Sequence, residues 1–137
     1  AKVAGAIRAV QERRGGRNVS KPRYRWWGYV RAILRAYPEL DARFASDCER
    51  LQRRPRHRLT QEQREYIAVR RAIEQTELQD TGEERMRFIT ALYFGGEPRR
   101  IDRTYQRHHI SEATAWRWHR EFVRRVAREL GLLDGEG

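Results

Sequence analysis

Apolar residues recur along this chain at steps of three and four, and no segment sustains a two-residue alternation. That pattern predicts an all-α protein. Val3, Ile7 and Val10 form a stripe over residues 1–14, which Gly15-Gly16 interrupts; the basic, polar stretch that follows, to Arg23, is expected to be mobile. Pro22 suits the first turn of a second helix, over 23–36. There Trp26, Val30, Ile33 and Tyr37 share a face that Trp27 and Leu34 widen, while Tyr29 turns elsewhere. Pro38 is expected to end this helix and to open a third, over 39–53, carrying Leu40, Phe44 and Leu51. Residues 53–58, Arg-Arg-Pro-Arg-His-Arg, read as a basic connector.

Thr60 and Gln63 stand at the spacing of a capping box, which starts a fourth helix over 61–78 with Tyr66, Val69 and Ile73 inward. Asp80-Thr81-Gly82 reads as a turn. Glu83 and Glu84 suit the positive end of a fifth helix, to about Phe94, which buries Met86, Ile89 and Tyr93. Gly95-Gly96 closes it, and Pro98 starts a short helix to about Arg107 that carries Ile101 and Tyr105. His108, His109 and Ile110 make a three-residue turn, and Ser111 caps a long helix to about Leu130.

In that last helix Ala115, Trp118, Phe122, Val126 and Leu130 fall along one face. Two helices joined by a tight turn, with a small residue early in the second, describe a helix-turn-helix over 99–130. Ala115 lets the first helix cross closely. The outward residues Glu112, Ala113, Trp116, Arg117 and Arg120 are those expected to face base edges in a major groove. Arg124, Arg125 and Arg128 extend the basic surface toward phosphates, and His119 is placed where it reaches a phosphate. With Ser111 and Thr114 at the helix start, the expected DNA-binding set is Ser111, Glu112, Ala113, Thr114, Trp116, Arg117, His119, Arg120, Arg124 and Arg128. The chain thus divides into a basic arm (1–22), an aromatic-rich helical region with its connector (23–58) and a C-terminal helical DNA-binding region (59–133).

Charge strengthens this reading. Thirty Lys+Arg against nineteen Asp+Glu give a formal net charge of +11, a partner signal for polyanions. All the basic residues except Lys2 and Lys21 are arginine. Arginine grips phosphate and guanine edges bidentately, although a GC-rich genome gives the same bias. Trp27, Tyr29 and Trp116 are aromatic surface beyond what one core stripe needs, which suits a partner.

The segment order resembles the RinA/ArpU family of phage late-gene transcriptional regulators. The residues that carry the resemblance are Tyr24-Arg25-Trp26-Trp27-Gly28-Tyr29-Val30-Arg31-Ala32-Ile33-Leu34 with Tyr37-Pro38, then Gln63-Arg64-Glu65-Tyr66 and Ala68-Val69-Arg70-Arg71-Ala72-Ile73. Gly82-Glu83-Glu84-Arg85 and Ile110-Ser111-Glu112-Ala113-Thr114-Ala115-Trp116-Arg117-Trp118-His119 complete them, across about 23–133. The resemblance implies a C-terminal half similar to region 4 of sigma factors, a phage or prophage origin, and activation of a late operon. Residues 1–14 have no counterpart in it.

Other chemistries fit less well. The single cysteine, Cys48, reads as a half-buried core residue and builds neither a disulfide nor a zinc cluster. His57, His108, His109 and His119 lack a completing ligand set, and the acids are spread along helix faces, so neither a metal, a cofactor nor catalysis is expected. No apolar run is long enough for a membrane helix, and residues 1–14 hold no signal-peptide core, so a cytoplasmic, nucleoid-associated protein is expected. The expected partner is double-stranded DNA. Direct contact with RNA polymerase and homo-oligomerisation are left open. The alternatives are a small terminase-like packaging subunit and a helical adaptor that binds no DNA.

Overall fold

The computed structural model describes residues 24–95 and 99–133. Every regular element among them is helical, as the spacing predicts. In chain order these are α1 (Trp27–Phe44), a 3-10 turn (Ala45–Asp47), α2 (Cys48–Arg53) and a 3-10 turn (Arg56–Arg58). Then come α3 (Gln61–Glu77), α4 (Gly82–Ile89) running on as a π-helical turn (Thr90–Phe94), α5 (Ile101–Thr104), a 3-10 turn (Tyr105–His108) and α6 (Glu112–Glu129). The expected stripe over 1–14, the Gly15-Gly16 break, Pro22, Gly96 and Pro98 lie outside the described residues.

The helix over 23–36 was expected to stop before Pro38, but α1 runs through it to Phe44. A proline inside a helix lacks one N–H and crowds the preceding turn, at about 3 kcal/mol. Val30, Ile33, Leu34, Tyr37 and Leu40 form one buried stripe across the proline. Each such side chain contributes about 1.5–3 kcal/mol on burial, so the stripe outweighs the break. Pro38 itself is exposed. The expected third helix is correspondingly reduced to α2 behind a 3-10 turn.

α3 is the central element and lies against α1, α4 and α6. Its start has the expected capping box, with Thr60 Oγ1 accepting from the Gln63 N–H at 3.1 Å and Gln63 Oε1 accepting from the Thr60 N–H at 2.9 Å. It buries Tyr66, Ile67, Ala68, Val69, Ala72, Ile73 and Thr76, a band wider than one amphipathic stripe because several helices cover it. Tyr37 stacks on Tyr66 at 5.6 Å, and the Tyr66 hydroxyl donates to Asp41 at 2.8 Å. Cys48 is half-buried on α2.

The α3–α4 turn needs a glycine. A Cβ on Gly82 would sit 2.5 Å from the Thr76 carbonyl oxygen, closer than atoms approach. Beyond α4 the helix runs on through the π-helical turn. Phe88, Ile89, Leu92 and Tyr93 are buried at the i, i+1, i+4, i+5 spacing of one helix face, while Met86, expected inward, is only half-buried. At its far end α6 closes on Gly131 (φ 77), with the Leu132 N–H on the Ala127 carbonyl at 2.9 Å. Arg56, from the basic connector, adds a hydrogen bond to the Leu130 carbonyl at 2.8 Å. No helix among the described residues is long and apolar enough to cross a membrane.

Candidate nucleic-acid interface

The segment expected to read DNA begins with α5, whose Ile101 and Thr104 are buried. The chain reverses at His109, which adopts φ 56 and ψ 40 in the left-handed region. Histidine enters that region more readily than most residues, though still at a cost. Two residues on, Ser111 caps α6 as expected: its Oγ accepts from the Thr114 N–H at 3.0 Å and lies 3.0 Å from Thr114 Oγ1. Ser111 and Thr114 thus use their hydroxyls to hold the helix start.

One side of α6 is buried as the spacing requires, with Ala115, Trp118, Phe122 and Val126 joined by Val123 and Ala127. At 100° per residue, Arg117, Arg124 and Arg128 form a line directly opposite, about 16 Å long. Ala113 and Arg117 are exposed and Arg120 is half-buried beside them. Glu112 and Trp116 are exposed too, but they lie on the flank that turns toward α1. The expected outward set therefore divides into an arginine line and a flank.

Three expected contacts are corrected or altered. His119 is not available to a phosphate: it is 2% exposed, with Nε2 2.6 Å from the Tyr93 hydroxyl. Its position, four residues after Ala115 and three before Phe122, already puts it within the buried stripe. Arg125 turns inward to Thr76 and Gln79 of the α3 end, at 3.0 and 3.2 Å, instead of continuing the basic surface. Arg124 remains at the surface, but it is held by the Tyr24 hydroxyl at 2.9 Å and lies over the Tyr24 ring. Arg128 is exposed.

His119 anchors a cluster that the sequence did not announce. Arg31 Nε donates to the Tyr93 hydroxyl at 2.9 Å, and the same hydroxyl shares a hydrogen bond with His119 Nε2 at 2.6 Å. His119 Nδ1 is buried and has no hydrogen-bond partner among the described residues. Burial, then the positive charges of Arg31, Arg120 and Arg35, push the His119 pKa down to about 3, so the ring is neutral at pH 7. Trp27 and Trp116 each meet this ring edge-on, at 5.7 and 5.9 Å, and Tyr93 stacks on it at 5.7 Å. Trp27, expected to widen the α1 face, is half-buried against the core and meets His119 of α6. Tyr29 is bonded to Glu65 at 2.7 Å and to Gln61 at 2.8 Å, so its hydroxyl is not free surface.

Along the flank runs a cleft of about 620 Å3, lined by the Trp27, Trp116 and His119 rings and by Arg31, Arg35 and Arg99. Arg31, Arg35 and Trp27 are roughly eighty residues from Trp116, and only tertiary folding joins them. Among the described residues no group of three His, Cys, Asp or Glu side chains could hold a metal ion. His57 lies in an exposed 3-10 turn, His108 packs its edge on Phe88, and His109 occupies the turn before Ser111.

The described part of the chain is thus an all-α protein with a basic, partly aromatic surface at the start of its last long helix. No family model, curated protein or solved structure matches this chain.

Proposed function

We propose that this protein is a phage or prophage transcriptional regulator that binds double-stranded DNA in a sequence-specific way, as its resemblance to the RinA/ArpU family implies. On this reading α5, the His109 turn and α6 are a helix-turn-helix of the sigma region 4 kind, and the protein has no catalytic step of its own. The observation that carries the reading is the start of α6: a Ser-capped, outward helix end at which Arg117 and Arg120 have no hydrogen-bond or ion-pair partner among the described residues. Ala113 and Arg117 would face base edges, with Arg120 beside them, while Arg128 meets phosphate. The site is a bacterial cytoplasm, where RNA polymerase is the natural second partner of an activator.

The test separates base reading from phosphate contact. Arg117→Ala should weaken binding to a selected site by about 1–3 kcal/mol while leaving random duplex nearly unaffected. Arg128→Ala should weaken both alike and reduce the salt slope by about 1. Enrichment of bound phage-genome fragments upstream of late genes would support activation, and enrichment at a packaging site by a large ring would support a terminase-like subunit instead. Failure to bind any duplex at about 50 mM salt would leave the helical adaptor.

A further inference from the structure

The cleft beside α6 has a composition that the DNA-reading surface does not require. Its back wall is the buried His119 ring, and Trp27 and Trp116 meet that ring from α1 and from α6. Leu92 and Ile101 give it an apolar floor, both buried. Its volume of about 620 Å3 falls in the range of about 300–1,000 Å3 usual for small-molecule sites. Trp116 is 38% exposed, so part of its indole is open to a ligand.

Its rim is positive. Arg100 is neutralised by Asp102, at 3.0 and 3.1 Å. Arg31 uses only Nε on Tyr93, which leaves the two terminal nitrogens of its fork for another acceptor. Arg35 and Arg99 are exposed and without a hydrogen-bond or ion-pair partner among the described residues. Among the described residues, Glu112 is the one lining carboxylate not engaged by an arginine, against three guanidinium groups with free donors.

An aromatic-lined cleft alone suits any planar apolar molecule, and an arginine cluster alone suits any anion. The two together fit one ligand with a planar ring at one end and an anionic group at the other. We propose that this cleft is a nucleotide site, in which a base lies against the Trp27 and Trp116 indoles while its phosphate is held by Arg35, Arg99 and the free fork of Arg31. Stacking on an aromatic face tolerates every base, so the site is expected to select for the nucleotide class more than for one base. The nucleotide comes either free from solution or unstacked from a DNA strand bound along α6.

The test uses the full chain and deoxyguanosine 5′-monophosphate, followed by tryptophan fluorescence and by calorimetry. Deoxyguanosine and inorganic phosphate are titrated alongside. The nucleotide should bind saturably and roughly 10-fold or more tighter than either fragment, because stacking and ion pairing act in one molecule. Arg35→Ala, an exposed substitution outside the DNA-reading face, should weaken that binding about 10-fold while leaving the helical circular dichroism and perfect-duplex affinity unchanged. A duplex carrying one bulged nucleotide then separates the sources. A preference for the bulged over the perfect duplex, lost in Arg35→Ala, assigns the nucleotide to DNA. Nucleotide binding with no such preference assigns it to a free ligand. The proposal is overturned if the nucleotide binds no better than phosphate and the bulge adds nothing, or if Arg35→Ala changes neither. Perfect-duplex binding in those same samples would leave the DNA-binding reading standing, so the two fail separately.

Discussion

The arginines around α3 and those of the α5–α6 segment share a side chain but not a situation. α3 carries three arginines against four glutamates. Arg70 pairs with Glu74 at 3.3 Å, Arg64 bonds the Arg56 carbonyl, Arg71 bonds the Gln52 carbonyl, and Arg43 of α1 pairs with Glu62. Residues 99–128 carry nine arginines against three acids. There Arg99, Arg103, Arg107, Arg117, Arg120 and Arg128 have no hydrogen-bond or ion-pair partner among the described residues. Exposed pairs like those at α3 contribute about 0–1 kcal/mol and mainly cancel charge. Uncancelled charges repel one another in the folded state, so a cluster of them fits a surface that meets a polyanion. Net charge alone therefore misplaces the basic surface; what locates it is which arginines the fold has left unpaired.

The largest effect expected from this contrast is on stability. Arg85 of α4 is mostly buried, pairs with Glu121 of α6, bonds Thr81 at 2.9 Å and lies over the Trp118 ring. Arg85→Ala should lower unfolding free energy by about 1–3 kcal/mol, since it removes a charged hydrogen bond and leaves Glu121 unpaired. Arg117→Ala should change it by less than about 0.5 kcal/mol. Urea denaturation of the two variants checks this. Similar losses for both would mean that the α6 arginines are structural too, and the contrast would be void.

Local chemistry was the legible part of this molecule. The caps at Thr60 and Ser111, the turn at Gly82 and the inward Ala115–Trp118–Phe122–Val126 line all follow from residues a few positions apart. Pro38 misled because its local preference is outweighed by burial along the whole of α1. Phe88 and Leu92 were missed because Ile89 and Tyr93 alone do not fix the side to which the buried band widens, and it takes in Phe88 and Leu92 in place of Met86. His119 was assigned outward by residue type, although its spacing places it with the core. The α1 side of the cleft left no trace in the sequence, since nothing near Arg31 or Arg35 signals that α6 lies beside them.

A smaller effect tests the electrostatic side of the contrast. His119 has a pKa of about 3 in the folded chain against an ordinary value of 6.5. Between those values the unfolded chain binds a proton that the folded chain refuses, so stability is full above pH 6.5 and is lost as pH falls toward 3. From pH 6.5 to 5, where ordinary carboxylates stay ionised, the loss should be about 1 kcal/mol per pH unit. His108, whose pKa burial also lowers, adds a lesser share. His119→Phe should flatten most of this slope in urea titrations at pH 7.5 and 5.5. An unchanged slope would mean that the imidazole already finds a proton in the folded state, and that the positive field of Arg31, Arg120 and Arg35 does not reach it.

The smallest effect concerns the hinge between the two situations, the turn that presents the unpaired arginines. His109 holds a left-handed backbone that costs an L-residue about 1–2 kcal/mol. Glycine relieves that strain but adds about 0.5–1 kcal/mol of unfolded-state entropy. His109 is exposed, and its side chain has no hydrogen-bond partner among the described residues, so removing the ring itself costs little. His109→Gly should therefore leave stability unchanged or raise it by up to about 1 kcal/mol, and His109→Ala should fall below it. The order of these two variants in thermal unfolding is the informative quantity. If alanine equals glycine, the turn relaxes at little cost and does not set the angle at which α6 leaves α5; if glycine leads, the left-handed turn is a constraint that holds Arg117 and Arg120 in place ahead of any partner.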